Sequence, residues 1–67
     1  MYPNLNAELA RKDVKLDQLA RVLGLSVGTV SQKKNGSYDF TLKEAKAIKH
    51  FLQVDIPLEV LFEEARG

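Results

Sequence analysis

Gln32 carries an amide that donates and accepts a hydrogen bond at once. Val27, Gly28, Thr29 and Ser31 stand just ahead of it, and Lys33 and Lys34 follow directly. None of these side chains is a nucleophile beside a base, so the set is equipped for recognition and not for bond making. An amide of this kind matches the edge of adenine, a hydroxyl serves either base type, and an apolar side chain can meet the thymine methyl. Gly28 has no side chain and lets a backbone come close. Lysines answer the charge of a phosphate chain. The chemistry on offer is the reading of duplex DNA, with Val27, Gly28, Ser31 and Gln32 as base-contact candidates. An ordinary solvated helix has the same composition, so the elements that position these residues decide between the two readings.

Residues 17–31 supply that positioning. Ala20 is small enough for two helix backbones to approach closely. Gly24 follows four residues later and can adopt the left-handed conformation that ends a helix at low cost. Val30, a further six residues on, plugs a second helix back onto the first. The pattern is a bihelix over about 16–34, the usual frame for placing one helix in the DNA major groove. With Val30 inward, Gly28, Ser31 and Gln32 turn outward, with Val27 and Thr29 near the leading end. A helix N-terminus adds unpaired N–H groups and partial positive charge, which favour phosphate.

Apolar residues recur at three- to four-residue spacing and no alternating pattern occurs, so the chain reads as all-α with five helices. The first spans about 3–12, with Leu5 and Leu9 on one face and Pro3 in its first turn. The second spans 16–23, with Leu16, Leu19, Ala20 and Leu23 inward. The third begins at 26 or 27, capped by Ser26, and ends near 34 before the turn signal Asn35-Gly36-Ser37. The fourth spans 41–52. Thr41-Leu-Lys-Glu44 is a capping box, and Leu42, Ala45, Ile48 and Phe51 or Leu52 form the expected buried stripe. The fifth is expected over 57–64, with Leu58, Leu61 and Phe62 on one side and Val54 and Ile56 sealing the loop before it. Phe40 reads as a core plug. Around the third helix stand the phosphate-contact candidates: Lys15, Thr29, Lys33, Lys34, Asn35, Ser37, Tyr38 and Lys43. Lys43 lies in the first turn of a helix, where a cation opposes the dipole, which hints at an anion nearby.

Composition narrows the function classes. Sixty-seven residues make one domain, 1–67, and a chain this short buries only roughly 60% of its unfolded surface. There is no cysteine and a single histidine, His50, so no thiolate or histidine cluster can hold a metal, and no cofactor or small-molecule ligand is expected. No apolar run approaches the ~20 residues that span a bilayer, and the start of the chain has no signal-peptide pattern. A cytoplasmic protein without a separate effector domain is the expectation. Net charge is +1, but residues 1–54 hold nine Lys/Arg against five Asp/Glu, and residues 55–67 hold one against four. A basic body with an acidic end suits a protein that meets phosphate with one face. Asp13 and Asp17 read as a solvated pair, and no acid–histidine pair or glycine-rich phosphate loop argues for an enzyme. The few aromatics do not interleave with basic residues, which speaks against a single-strand stacking platform.

The chain resembles the phage repressor and Cro-type helix-turn-helix family, also called xenobiotic-response-element-like. The resemblance rests on Leu19-Ala20, Gly24-Leu25-Ser26, Thr29-Val30-Ser31, Asn35-Gly36 and Phe40-Thr41-Leu42, and on the tail Val54-Asp-Ile-Pro-Leu-Glu-Val-Leu-Phe62. It implies a five-helix domain that binds operator DNA, commonly as a dimer on a two-fold site, and so a prophage-type repressor acting by occupancy. It places base reading at Val27, Gly28, Gln32 and Ser31, and phosphate contact around Asn35 and the start of the fourth helix. Two departures stand out. Lys34 replaces an apolar or acidic residue, and Leu9 takes the place of that acid's basic partner. The lysine is expected to snorkel over Leu9. The Val27-Gly28 pair is also poor in hydrogen-bonding groups, so selectivity is expected either to be weak or to rest on DNA shape. A homodimer is expected on geometric grounds, with Leu58, Leu61 and Phe62 either at its interface or serving only the core of the monomer. The alternative is a protein-interaction module, such as an antitoxin or anti-repressor partner, using apolar surface on the closing helix.

Overall fold

The computed structural model describes residues 2–64. Its helices are α1 (Pro3–Arg11), α2 (Leu16–Leu23), α3 (Val27–Lys34), α4 (Leu42–Leu52) and α5 (Leu58–Leu61). No strand occurs among the described residues, and no helix there is long and apolar enough to cross a membrane. The fold is all-α, as the apolar spacing predicts.

Local chemistry sets the helix ends. Pro3 opens α1 at a position where a missing N–H costs nothing. The Gln18 side chain accepts from the Lys15 N–H (2.9 Å) and closes the start of α2. At the other end of α2, Gly24 sits at φ +69°, Leu25 N–H bonds the Ala20 carbonyl (2.9 Å) and Gly24 N–H bonds that of Arg21 (3.3 Å). These paired bonds make a Schellman ending, which turns the chain sharply into α3. Ser26 Oγ then accepts from the Thr29 N–H (3.2 Å), the cap expected of it. The capping box of α4 also forms. Thr41 Oγ1 accepts from Glu44 N–H (3.1 Å), and Glu44 Oε1 accepts from Thr41 N–H (2.9 Å).

Packing follows the stripes. α2 packs on α3 and α4, α4 on α5, and α5 on α1. Tyr2, Leu5, Leu9, Leu19, Ala20, Val30, Ile48, Leu52 and Leu61 form one buried cluster. Phe40 plugs its edge as expected, within a triad whose ring centroids lie 5.5 Å (Tyr2–Phe40), 5.8 Å (Tyr2–Phe62) and 5.4 Å (Phe40–Phe62) apart. Such tilted and edge-on pairs are favourable beyond the area they bury. Asn4 Nδ2 donates to the Val60 carbonyl (2.8 Å) and ties α1 to α5.

Several expectations need correction. Leu42 is 65% exposed and not part of the buried stripe. It stands at the first position of α4, beyond the edge of the core. Leu52 is buried and Phe51 is exposed, so the stripe continues by four residues from Ile48 and not by three. α5 has a single turn and stops at Leu61. Leu61 has no exposed surface, so of the three residues expected at a two-fold interface only Leu58 and Phe62 keep any. Leu16 and Leu23 pack against the core from half-buried positions.

Candidate nucleic-acid interface

Val30 has no exposed surface and Gln32 is exposed. Two residues along a helix are about 200° apart, so burying one presents the other. Val27 (45% exposed) and Gly28 share the outer surface with Gln32 at the leading end. A Cβ placed on Gly28 would meet nothing within 4 Å. The glycine is therefore not required by the packing of the free protein. Ser31 is half-buried where full exposure was expected. The orientation of α3 follows from the α2–α3 turn and the Val30 peg together.

The leading end of α3 is only partly capped. Ser26 satisfies the Thr29 N–H, while the first N–H groups of any helix lack intrahelical partners. The Thr29 hydroxyl lies 2.8 Å from Ser26 Oγ; with Ser26 as donor, Thr29 keeps its own proton for an anion. Lys15 stands exposed at the start of α2.

Past its trailing end, α3 gives way to the loop 35–41. Gly36 at φ +89° allows the reversal, with Ser37 N–H on the Gln32 carbonyl (3.0 Å) and Gly36 N–H on that of Lys33 (3.2 Å). Asn35, Ser37 and Tyr38 are exposed there, as is Lys43 in the first turn of α4. Thr29, Gln32, Lys33, Tyr38 and Asp39 line a shallow depression where the loop meets α3. Lys34 is half-buried.

Lys33 sits elsewhere than expected. Its ammonium lies 2.7 Å from Glu44 Oε1 and 3.2 Å from the Asp39 carbonyl, and it stands 6.0 Å from the Phe40 ring centroid. Only 13% of its side chain and 17% of that of Glu44 are exposed. Burial pushes the Glu44 carboxyl up. The hydrogen bonds from Lys33 and Thr41 and the lysine's charge outweigh it, so the net position is below the ordinary glutamate value. The capping pattern pointed to Glu44 as a cap alone. Its second role, eleven residues from its partner, has no signature in local spacing.

The arrangement is a helix with an outward polar edge, cations beside it and a loop of exposed donors at its end. The family model described as Cro/C1-type HTH DNA-binding domain matches residues 4–61, nearly the whole chain and the whole of this arrangement. No curated protein and no solved structure is similar enough to match. The turn at Gly24, the peg at Val30 and the exposed face they produce are thus those of a Cro/C1-type helix-turn-helix DNA-binding domain, and the chain belongs to that family.

Proposed function

We propose that this chain is a sequence-specific regulator of transcription, a prophage-type repressor that acts by occupying operator DNA with α3 in the major groove. The observation that carries the reading is the pairing of a fully buried Val30 with an exposed Gln32 on a helix whose leading end is only partly capped. Gln32 pairs with an adenine edge, Val27 meets a thymine methyl, and Gly28 lets the groove wall approach. Ser31 contributes from its half-buried position. Lys15, Thr29, Lys34, Asn35, Ser37, Tyr38 and Lys43 hold the phosphates and fix register. Lys33 takes no phosphate in this reading, because its ammonium already has two oxygen partners. One helix reads too few base pairs for tight binding, so two copies bind a two-fold site.

Selection of bound fragments from random duplexes tests the proposal, followed by anisotropy titrations against salt. The expected result is enrichment of related half-sites about one helical turn, ~34–36 Å, apart. Affinity should also fall steeply with salt as counterions are released. Equal binding to every duplex refutes specificity, and binding insensitive to salt refutes phosphate contact.

A further inference from the structure

The Lys33–Glu44 pair joins the end of α3 to the start of α4 across the loop 35–41. A single carboxylate oxygen, Glu44 Oε1, accepts from both Lys33 Nζ (2.7 Å) and the Thr41 backbone N–H (2.9 Å). The same ammonium holds the Asp39 carbonyl (3.2 Å). Two backbone points in the second half of the loop, at Asp39 and Thr41, are thus held from α3 and α4 together. The first half is held by Gly36 and Ser37 N–H groups on carbonyls of α3. The other ion pair among the described residues, Arg11 with Glu8 (3.2 Å), has a 70% exposed arginine and spans one turn of one helix. Among the described residues, only the Lys33–Glu44 pair is screened from water at both ends and crosses between elements. A pair in that setting keeps more of its charge-assisted strength than one on open surface.

We propose that Glu44 is a positioning residue for DNA binding: by holding Lys33 it fixes the second half of the loop, residues 38–41, so that Tyr38 meets its phosphate in register. Lys33 is then a tether and not a phosphate ligand. The inference rests on the DNA-binding reading above and adds to it a residue that touches no DNA.

The discriminating variant is Glu44→Gln. Glutamine keeps an oxygen for the Thr41 N–H, so the cap survives while the charge is lost. Removing a negative charge strengthens attraction to DNA by simple electrostatics. A positioning role predicts the opposite sign. Duplex affinity of Glu44→Gln, Lys33→Met and the double variant is measured against salt, well below their melting temperatures. Each single variant should bind more weakly: Lys33→Met, which has no donor left for Glu44 or the Asp39 carbonyl, by about fivefold, and Glu44→Gln, whose neutral oxygen still accepts from the ammonium but without the opposite charge, by less. The double variant should be no weaker than Lys33→Met within about twofold, because both changes cut one link. The salt slope should stay that of the wild type. Without DNA, amide exchange should quicken at the Asp39–Thr41 end of the loop in Lys33→Met while the α2 amides stay protected. Unchanged or tighter binding by Glu44→Gln, or a slope reduced by about one phosphate in Lys33→Met, overturns the inference alone. Failure of the wild type to bind any duplex overturns the DNA-binding reading and the inference with it. Unchanged loop exchange in Lys33→Met removes the tether on its own.

Discussion

Val30→Ala separates a peg from a probe. The valine has no exposed surface and belongs to the same buried cluster as Leu19 and Ala20. The substitution deletes two methylene equivalents, worth about 1.6 kcal/mol of transfer free energy at roughly 0.8 kcal/mol each. The space left behind adds a cavity cost, because fully packed neighbours relax only in part, and the total comes to about 2–3 kcal/mol. A domain of this length has on the order of 3–10 kcal/mol in all, so the loss is a large share of its stability. Urea unfolding followed by circular dichroism reads it directly. The midpoint should fall with the slope unchanged, which marks a change in stability and not in the extent of unfolding. Gln32→Ala, two residues on and exposed, is the control and should stay within about 0.5 kcal/mol of the wild type. A loss under about 0.5 kcal/mol for Val30→Ala, or a larger one for Gln32→Ala, refutes the orientation assigned to α3.

Gly28→Ala fits the free protein, since an added Cβ meets nothing within 4 Å. It should stabilise the fold by about 0.5 kcal/mol in thermal unfolding and, if the proposed approach of the groove wall to Gly28 holds, weaken duplex binding. Gln32→Ala should lose about 1–3 kcal/mol of discrimination at one base pair, read by competition with single-pair variants of the selected site. Lys43→Ala should instead weaken all duplexes alike and lower the salt slope by about one. Acid should loosen the α3–α4 link. The Glu44 carboxyl lies below its ordinary value when folded, so its contribution to stability is full above the unfolded glutamate range and is lost as pH falls through the folded value. Glu44→Gln should flatten that part of a stability-against-pH curve, and an unchanged curve contradicts the pairing.

The helical frame was legible because its signals are local. Gly24, Ser26 and the Thr41–Glu44 box act within four residues, and each forms as its residue type dictates. Val30 was legible from spacing, because the turn before it fixes which side of α3 faces α2. Residues whose fate depends on distant chain were not. Leu42 fits the apolar stripe by number, yet it starts its helix outside the core. Tyr2 gave no periodic signal, and it is buried in the core cluster with Phe40 and Phe62 coming to it from far along the chain. Lys33 looked like a free cation at a helix end, and its partner arrives only when α4 folds back. Of the candidate base-contact residues, Gln32, Val27 and Gly28 emerge exposed together, while Ser31 turns partly inward.

Backbone amide signals followed by NMR during titration with a selected duplex test the central claim most directly. Val27, Gly28, Ser31 and Gln32 of α3 and the loop from Asn35 to Tyr38 should shift most, with α1 and α5 little affected. Shifts concentrated on α4 and α5, with α3 silent, contradict the claim.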